Sequence, residues 1–465
     1  MPYFSLPVLF RRLSSAGKVL LLLLVSFPTA AQHIRSNEAP IDKAFVREAV
    51  QRGAALFEQE YIYPAVARKT SQLLLRNLQK GRYDAITDIH ALATRLTADM
   101  RTVCPDQHVG WRVQAPRPAT AAPRPSGINV KGFYRVDILP GNVGYLEVRA
   151  FPDESVAAHQ VVGAMTYLSG CDAVILDFRQ NGGGSLLKDL LLGYFFPKPV
   201  HLNDIVSRDY VEHEYSQPVQ VRLRRLKLDS ASNQLRADTL LRVPSKLQQA
   251  PVYVLTSSRT FSAAEAVAYE LKALKRGLTV GETTRGGANP VGGKAVNERL
   301  LLRIPFAHVE NAVTKANWEG VGVPPDIPVK ATHALETAHL EALKRLIEQA
   351  PTPEAKQRLT WDLETARALY RPAPLDPVAA ERYVGSFDFE QIVREQGRLF
   401  RLDRGYPVAL TPLGPHTFVV DEELRFEFQP DASGAITSLT LLRKDGSLVS
   451  LPRRATGEKP ASASQ

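Results

Sequence analysis

Apolar and polar positions change rhythm along the chain. Over residues 38–103 they recur at helical spacing, with Phe45, Ala49, Gly53 and Leu56 on one stripe and Ile89, Leu92, Leu96 and Met100 on another. This spacing predicts a helical N-terminal domain over 32–114. The stretch APRPATAAPRPSG, at 115–127, is rich in proline and alanine and reads as a linker. From 128 to 345 the runs NVGYLEV, DAVILDF and PVYVLTS alternate with helical patterns such as ESVAAHQVVGAMTYLSG and SLLKDLLLGYF. Strands alternating with helices imply an α/β domain. Residues 346–378 hold a helix and the linker RPAPLDP. Over 379–457 the period becomes two, with Leu424, Phe426 and Phe428 alternating with Arg425 and Glu427 between glycine turns. That pattern predicts a small all-β domain, followed by a polar tail at 458–465.

Composition changes this picture mainly at the N-terminus. Arg11, Arg12 and Lys18 precede the apolar run VLLLLLVSF, and Thr29 and Ala31 place small residues before Gln32. Residues 1–31 therefore read as a signal peptide cleaved near Ala31, since the run is too short to span a bilayer comfortably. No later segment is long and apolar enough to cross a membrane, and the mature chain is expected to be soluble and exported, in a periplasm or outside the cell. The formal charge of +10 falls to +7 without the three leader cations. The basic residues are scattered, as in LRRLKLD at 223–229, which reads as a solvated surface and not a nucleic-acid stripe. Cys104 and Cys171 could pair or lie buried as free thiols, and two cysteines do not make a zinc site.

Candidate chemistry centres on Ser262, in VYVLTSSRTFSAAEAVAYELKAL, where a strand gives way through a short turn to a helix opened by the serine. Unpaired N–H groups and the positive end of the helix dipole suit a nucleophile there. Ser262 and Glu265 equally fit a capping box. A second stretch, LDFRQNGGGS at 176–185, ends a strand with three glycines, which let backbone amides approach a ligand. It can be a tight turn or an oxyanion pocket. The phosphate-loop pattern fails here, and again at GGANPVGGKA, where Ala288 and Ala295 replace its glycine and hydroxyl. A serine nucleophile needs a base. His108, in CPDQHVGW, lies in a polar turn, whereas His90, His159 and His339 lie in helical patterns that need only a surface or core role. NWEGVGVPPDIPV offers Glu319 and Asp326 as groups that could orient the base, and spacing does not separate them.

The D-x-H turn at 106–108, NVGYL at 142–146, LDFRQNGGG at 176–184, TFSAAEAVAYELK at 260–272, GETTRGG at 281–287 and EGVGVPPDI at 319–327 together resemble the S41 family of serine peptidases. That family takes in tail-specific peptidases, the tricorn core and the interphotoreceptor retinoid-binding protein. The helical segment from Tyr61 to Met100 resembles the retinoid-binding branch. The resemblance implies a crotonase/ClpP-like spiral of ββα units and a catalytic serine at Ser262. The tail-specific branch uses a lysine where this chain has Gly287; Lys294 lies seven residues beyond, and Arg285 stays protonated. The tricorn-like branch implies His108 as base and Glu319 as its orienter, although Gln107 stands where that branch has serine. Backbone amides of Ala263, Gly183 and Gly184 would then face the oxyanion, with Glu265 as a cap. The implied substrate is a peptide or protein, with no metal or organic cofactor. A binding protein for apolar ligands on the same scaffold, or an esterase-type acyl hydrolase, are the alternatives.

Overall fold

Strand alternation explains how the central layer forms. In the run Ala173–Asp177, Val174 and Leu176 face one way while Ala173 and Ile175 face the other, and all are buried. A strand apolar on both faces must lie inside a sheet covered on both sides. The computed structural model, which describes residues 39–114, 132–219, 222–229, 234–242 and 245–454, has this arrangement. The strands run in the order Ile327–Pro328, Gly277–Gly281, Val252–Thr256, Ala173–Asp177, Val143–Val148, Phe133–Leu139. All neighbours pair parallel except the last two strands, which are antiparallel.

One face packs Val174, Leu176, Val252 and Val254 against Val161, Met165, Val267 and Leu271 of the helices Glu154–Tyr167 and Ala263–Ala273. The other packs Ala173, Ile175, Tyr253 and Leu255 against Ala338, Ala342 and Leu343 of Ala334–Glu348 and Leu363 and Ala366 of Pro353–Tyr370. The fold is thus mixed α/β.

Helices Lys43–Glu60, Pro64–Gln79 and Ile89–Arg101 form the predicted helical N-terminal segment. Their core is shared with the chain further on: Val46, Val50, Phe57, Leu74, Leu92 and Leu96 pack with Trp111, Leu300, Leu302 and Ile304. These last residues belong to an antiparallel sheet of Gly110–Val113, Leu300–Pro305 and Val291–Ala295. A sequence-local reading could not see this partnership, because the two halves are far apart along the chain.

Residues 385–452 form antiparallel sheets of four and five strands around Phe387, Phe418, Phe426, Phe428 and Leu439. The described residues from Ile41 onward form one compact unit. The leader at 1–31, the linker at 115–127 and the tail at 458–465 lie outside the described residues. Cys104 and Cys171 are free, buried thiols in separate cores. Among the described residues no helix is long and apolar enough to cross a membrane.

Candidate active site

The candidate residues gather where two neighbouring parallel strands, Ala173–Asp177 and Val252–Thr256, end. Open parallel sheets expose loops there, and ligands bind in the crevice outside the carboxyl ends. The loop 257–261 is tied to the loop after Asp177 by Ser257 Oγ to Arg179 O (2.6 Å), Thr260 Oγ1 to Phe178 O (2.8 Å) and Phe261 N to Asn181 O (3.0 Å). These bonds deliver Ser262 to the start of Ala263–Ala273 with φ 57° and ψ −123°. That conformation is strained for a residue with a Cβ and persists only where the surroundings impose it. Such a sharp strand-to-helix turn exposes the hydroxyl above the sheet.

Glu265 is the principal restraint. Its Oε2 accepts the N–H of Ser262 and of Gly287 (2.8 Å each), and its Oε1 accepts the Gly286 N–H (2.6 Å) and the Thr284 hydroxyl (2.5 Å). The capping-box residue therefore also fastens the loop 284–287 to the serine turn. Burial pushes its pKa up, and the four donors act against that push.

His108 sits in the turn after Ile89–Arg101, with its Nε2 3.0 Å from Ser262 Oγ. Asp106 Oδ1 accepts the His108 backbone N–H (2.8 Å), and Asn289 Nδ2 donates to Asp106 Oδ2 (2.9 Å). The imidazole stacks at a tilt on Phe261, ring centres 4.6 Å apart. Gly287 lies against the same two rings, so a Cβ there would overlap Phe261 and come 2.9 Å from His108 Cε1. No side chain fits at 287 while the histidine holds this place. Burial, and then the charges of Arg303 and Arg285, hold the His108 pKa down at about 3, so the ring is neutral near pH 7. For Nε2 to accept the serine proton, Nδ1 must carry the hydrogen. Nδ1 is buried and has no hydrogen-bond partner; Asp106 Oδ1 is its nearest ionic neighbour, at 3.7 Å.

Glu319 belongs to the same cluster, with donor atoms of Asp106, His108 and Glu319 within 4.8 Å of one another. Its Oε2 accepts the N–H of Ala288 (2.6 Å) and Asn289 (3.1 Å). Burial and then the Asp106 charge push its pKa up to about 7. Asp326, which spacing could not separate from Glu319, accepts both the N–H (2.9 Å) and the hydroxyl (2.8 Å) of Thr279 and pairs with Lys272 at 2.9 Å. It braces a strand. Lys294 pairs with Glu60 at 3.1 Å, and His339 is fixed between Pro140 O (2.9 Å) and the Tyr370 hydroxyl (3.2 Å).

The three backbone candidates are not equivalent. Gly183 donates its N–H to Asn181 Oδ1 at 2.8 Å, so that amide is already engaged. The amides of Ala263 and Gly184 have no protein partner among the described residues. Gly183 matters through closeness instead: at φ 95°, a Cβ there would lie 2.7 Å from Ser262 Cβ. The structural roles of Asp106, Asn181 and Asn289 and the wider role of Glu265 left no separate signal in the sequence, although all four lie within stretches noted there: the D-x-H turn, LDFRQNGGGS, GGANPVGGKA and the serine turn.

A hydroxyl bonded to a neutral imidazole, beside unpaired amides at a helix start, can attack an electrophilic carbon while its proton moves to the ring. Among the described residues, two groups could lend donor atoms to an ion. One is Asp106, His108 and Glu319; the other is His201, Asp204 and His213, where both rings lie 2.7 Å from Asp204 Oδ1 and Lys315 stands 3.7 Å from Oδ2.

Residues 142–329 match peptidase family S41, and residues 42–138 match the N-terminal domain of S41 peptidases in eukaryotic IRBP. The chain belongs to peptidase family S41. His108 lies in the second of these matched segments, and Ser262 and Glu319 in the first. Among solved structures, the chain is similar to the photosystem II D1 C-terminal processing protease (16% identity, 62% of this chain and 93% of that one, TM-score 0.38). It is also similar to a lipoprotein from Streptococcus agalactiae (13%, 67% and 100%, TM-score 0.43). The tricorn protease matches at 13% identity over 65% of this chain and 37% of that one, with TM-score 0.41.

Proposed function

We propose that this S41 chain is an exported serine peptidase that cleaves peptide bonds through an acyl-enzyme on Ser262. The observation that carries the reading is the 3.0 Å contact between His108 Nε2 and Ser262 Oγ at a strained, helix-opening serine. Ser262 Oγ attacks the scissile carbonyl carbon and His108 Nε2 takes the hydroxyl proton. The same proton then passes to the leaving amine as the C–N bond breaks, and water, deprotonated by His108, releases the acyl group.

Glu319 is assigned the orienting role. Both Asp106 oxygens already accept bonds, whereas Glu319 Oε1 has no protein partner among the described residues and is free to take the Nδ1–H. Ala263 and Gly184 are the oxyanion donors in this reading, and losing one such donor costs about 10²–10³ in rate. Gly183 gives the serine room. The leader-like residues 1–31 support export, and the finer S41 architecture, a spiral of ββα units with a β module after it, is part of the same proposal.

Labelling with a fluorophosphonate probe tests this. The wild-type chain should react at Ser262, and Ser262→Ala and His108→Ala should not. A folded wild-type chain that stays unlabelled under conditions where an active serine hydrolase reacts refutes the reading.

A further inference from the structure

One wall of the cavity above Ser262 is lined with arginines. The cavity, of about 840 Å³, contains Ser262, His108 and the glycine run, together with Arg101, Arg112, Arg285 and Arg303. Pleating explains two of them. On the paired strands Gly110–Val113 and Leu300–Pro305, Trp111 and Leu302 stand opposite each other and enter the helical core. The alternate positions, Arg112 and Arg303, therefore face the cavity. In register Arg303 has Gly110 on one side and Gly293 on the other, so neither neighbouring strand places a side chain directly beside it.

The cations lack counter-ions. The guanidinium groups of Arg112, Arg285 and Arg303 make no hydrogen bond or ion pair with the described residues, and that of Arg285 lies over the Phe261 ring at 5.1 Å. Arg101 is spent on the carbonyls of Gln107 and Val109. Burial and then the neighbouring Arg112 and Arg101 push Arg303 down, while Asp106 is the one acid acting on it in the other direction. Asp106 is already bonded to His108 and Asn289. Arg303 is half-buried while Arg101, Arg112 and Arg285 reach solvent at the cavity mouth; a carboxylate entering the cavity can accept paired N–H donors from such guanidinium groups and offset their mutual repulsion.

We propose that this wall is a carboxylate-binding subsite, so that the substrate is a peptide with an acidic group close to the bond attacked by Ser262. The proposal rests on the peptidase reading and narrows its substrate class. The carboxylate can be an Asp or Glu side chain or the terminal α-carboxylate, since both offer the same two oxygens. A consequence concerns the base: Arg303 and Arg285 depress His108, and a bound carboxylate would cancel part of their field. Acidic substrates should then gain in kcat as well as in KM.

The test uses the full chain carrying Ser262→Ala and fluorescein-labelled peptide pools in matched pairs: a free C-terminus against its amide, and internal Glu against Gln. By anisotropy the acidic member should bind roughly tenfold or more tightly, with the gap shrinking as salt is added. The pair that shows the gap identifies the source of the carboxylate. Arg303→Gln should close it, and Arg112→Gln, at an exposed position without internal partners, should do so with less risk to folding. Equal binding of both members, or binding by neither, overturns the proposal even if the probe labels Ser262. A preserved acidic preference in a chain whose Ser262 never reacts would instead overturn the peptidase reading and leave the subsite standing.

Discussion

Glu265→Gln removes a charge and half of a bonding hub without changing side-chain size. The native carboxylate accepts four bonds, from Ser262 N, Gly287 N, Gly286 N and the Thr284 hydroxyl. A glutamine has one acceptor oxygen, and its nitrogen must face one of the two donor pairs. The cheaper orientation turns the nitrogen to Thr284, whose hydroxyl can rotate to accept, and orphans the Gly286 N–H. A buried unpaired donor costs about 1–3 kcal/mol, and bonds that lose a charged acceptor weaken by about 1 kcal/mol. Relief of the buried charge, the cause of the raised Glu265 pKa, returns part of this. The net expectation is a loss of about 2–3 kcal/mol, a sizeable share of an ordinary folding free energy. Urea unfolding followed by tryptophan fluorescence should show a lower midpoint with an unchanged slope. Fluorophosphonate labelling of Ser262 should slow about tenfold, because the loop 284–287 that backs His108 loosens. A variant within about 0.5 kcal/mol of wild type that labels at the wild-type rate would refute the hub.

Three other outcomes are expected. Because the Glu319 pKa lies near 7 and His108 stays neutral down to about 3, kcat/KM should rise as pH passes 7 and Glu319 ionises, and Glu319→Gln should abolish that limb. The sign for stability is opposite: neutral Glu319 stabilises the fold below its ordinary 4.5, and this is lost as pH rises through about 7, which pH-dependent melting would detect. Gly183→Ala should cost about 1–3 kcal/mol and most of the labelling, since its Cβ would lie 2.7 Å from Ser262 Cβ and 2.9 Å from Phe261 O; normal labelling would show that the turn yields. Lys188→Met should destabilise by about 3–5 kcal/mol, because Lys188 Nζ holds Asp189 (2.5 Å), Glu214 (2.7 Å) and Glu270 (3.4 Å) and its removal leaves buried carboxylates without a cation; an unchanged urea midpoint counts against this.

What could be read from the sequence depended on how local its physical cause was. The strands of the central sheet announce themselves because burial on both faces demands runs such as AVILD, and the serine turn because a strand, a polar turn and a capped helix are consecutive. The positive φ of Ser262 leaves no compositional trace, since tertiary bonds from Asn181, Glu265 and the loop 178–181 impose it. The choice between Glu319 and Asp326 was open for the same reason: both sit in one loop, and what separates them is whether their partner is the Thr279 strand or the His108 turn.

The arginine wall shows the limit most clearly. Along the chain the basic residues look like scattered surface charge, and their scatter and mild excess speak only against a nucleic-acid stripe. Strand pairing across almost two hundred residues places Arg112 and Arg303 on one face of a sheet whose other face is apolar, and the glycines beside Arg303 keep that face open. Net charge is a sum over the molecule, whereas recognition depends on which charges share a cavity from which water is partly excluded. A modest overall excess can therefore coexist with four guanidinium groups beside a buried histidine. That juxtaposition would tie the basicity of His108 to the charge of whatever the cavity holds.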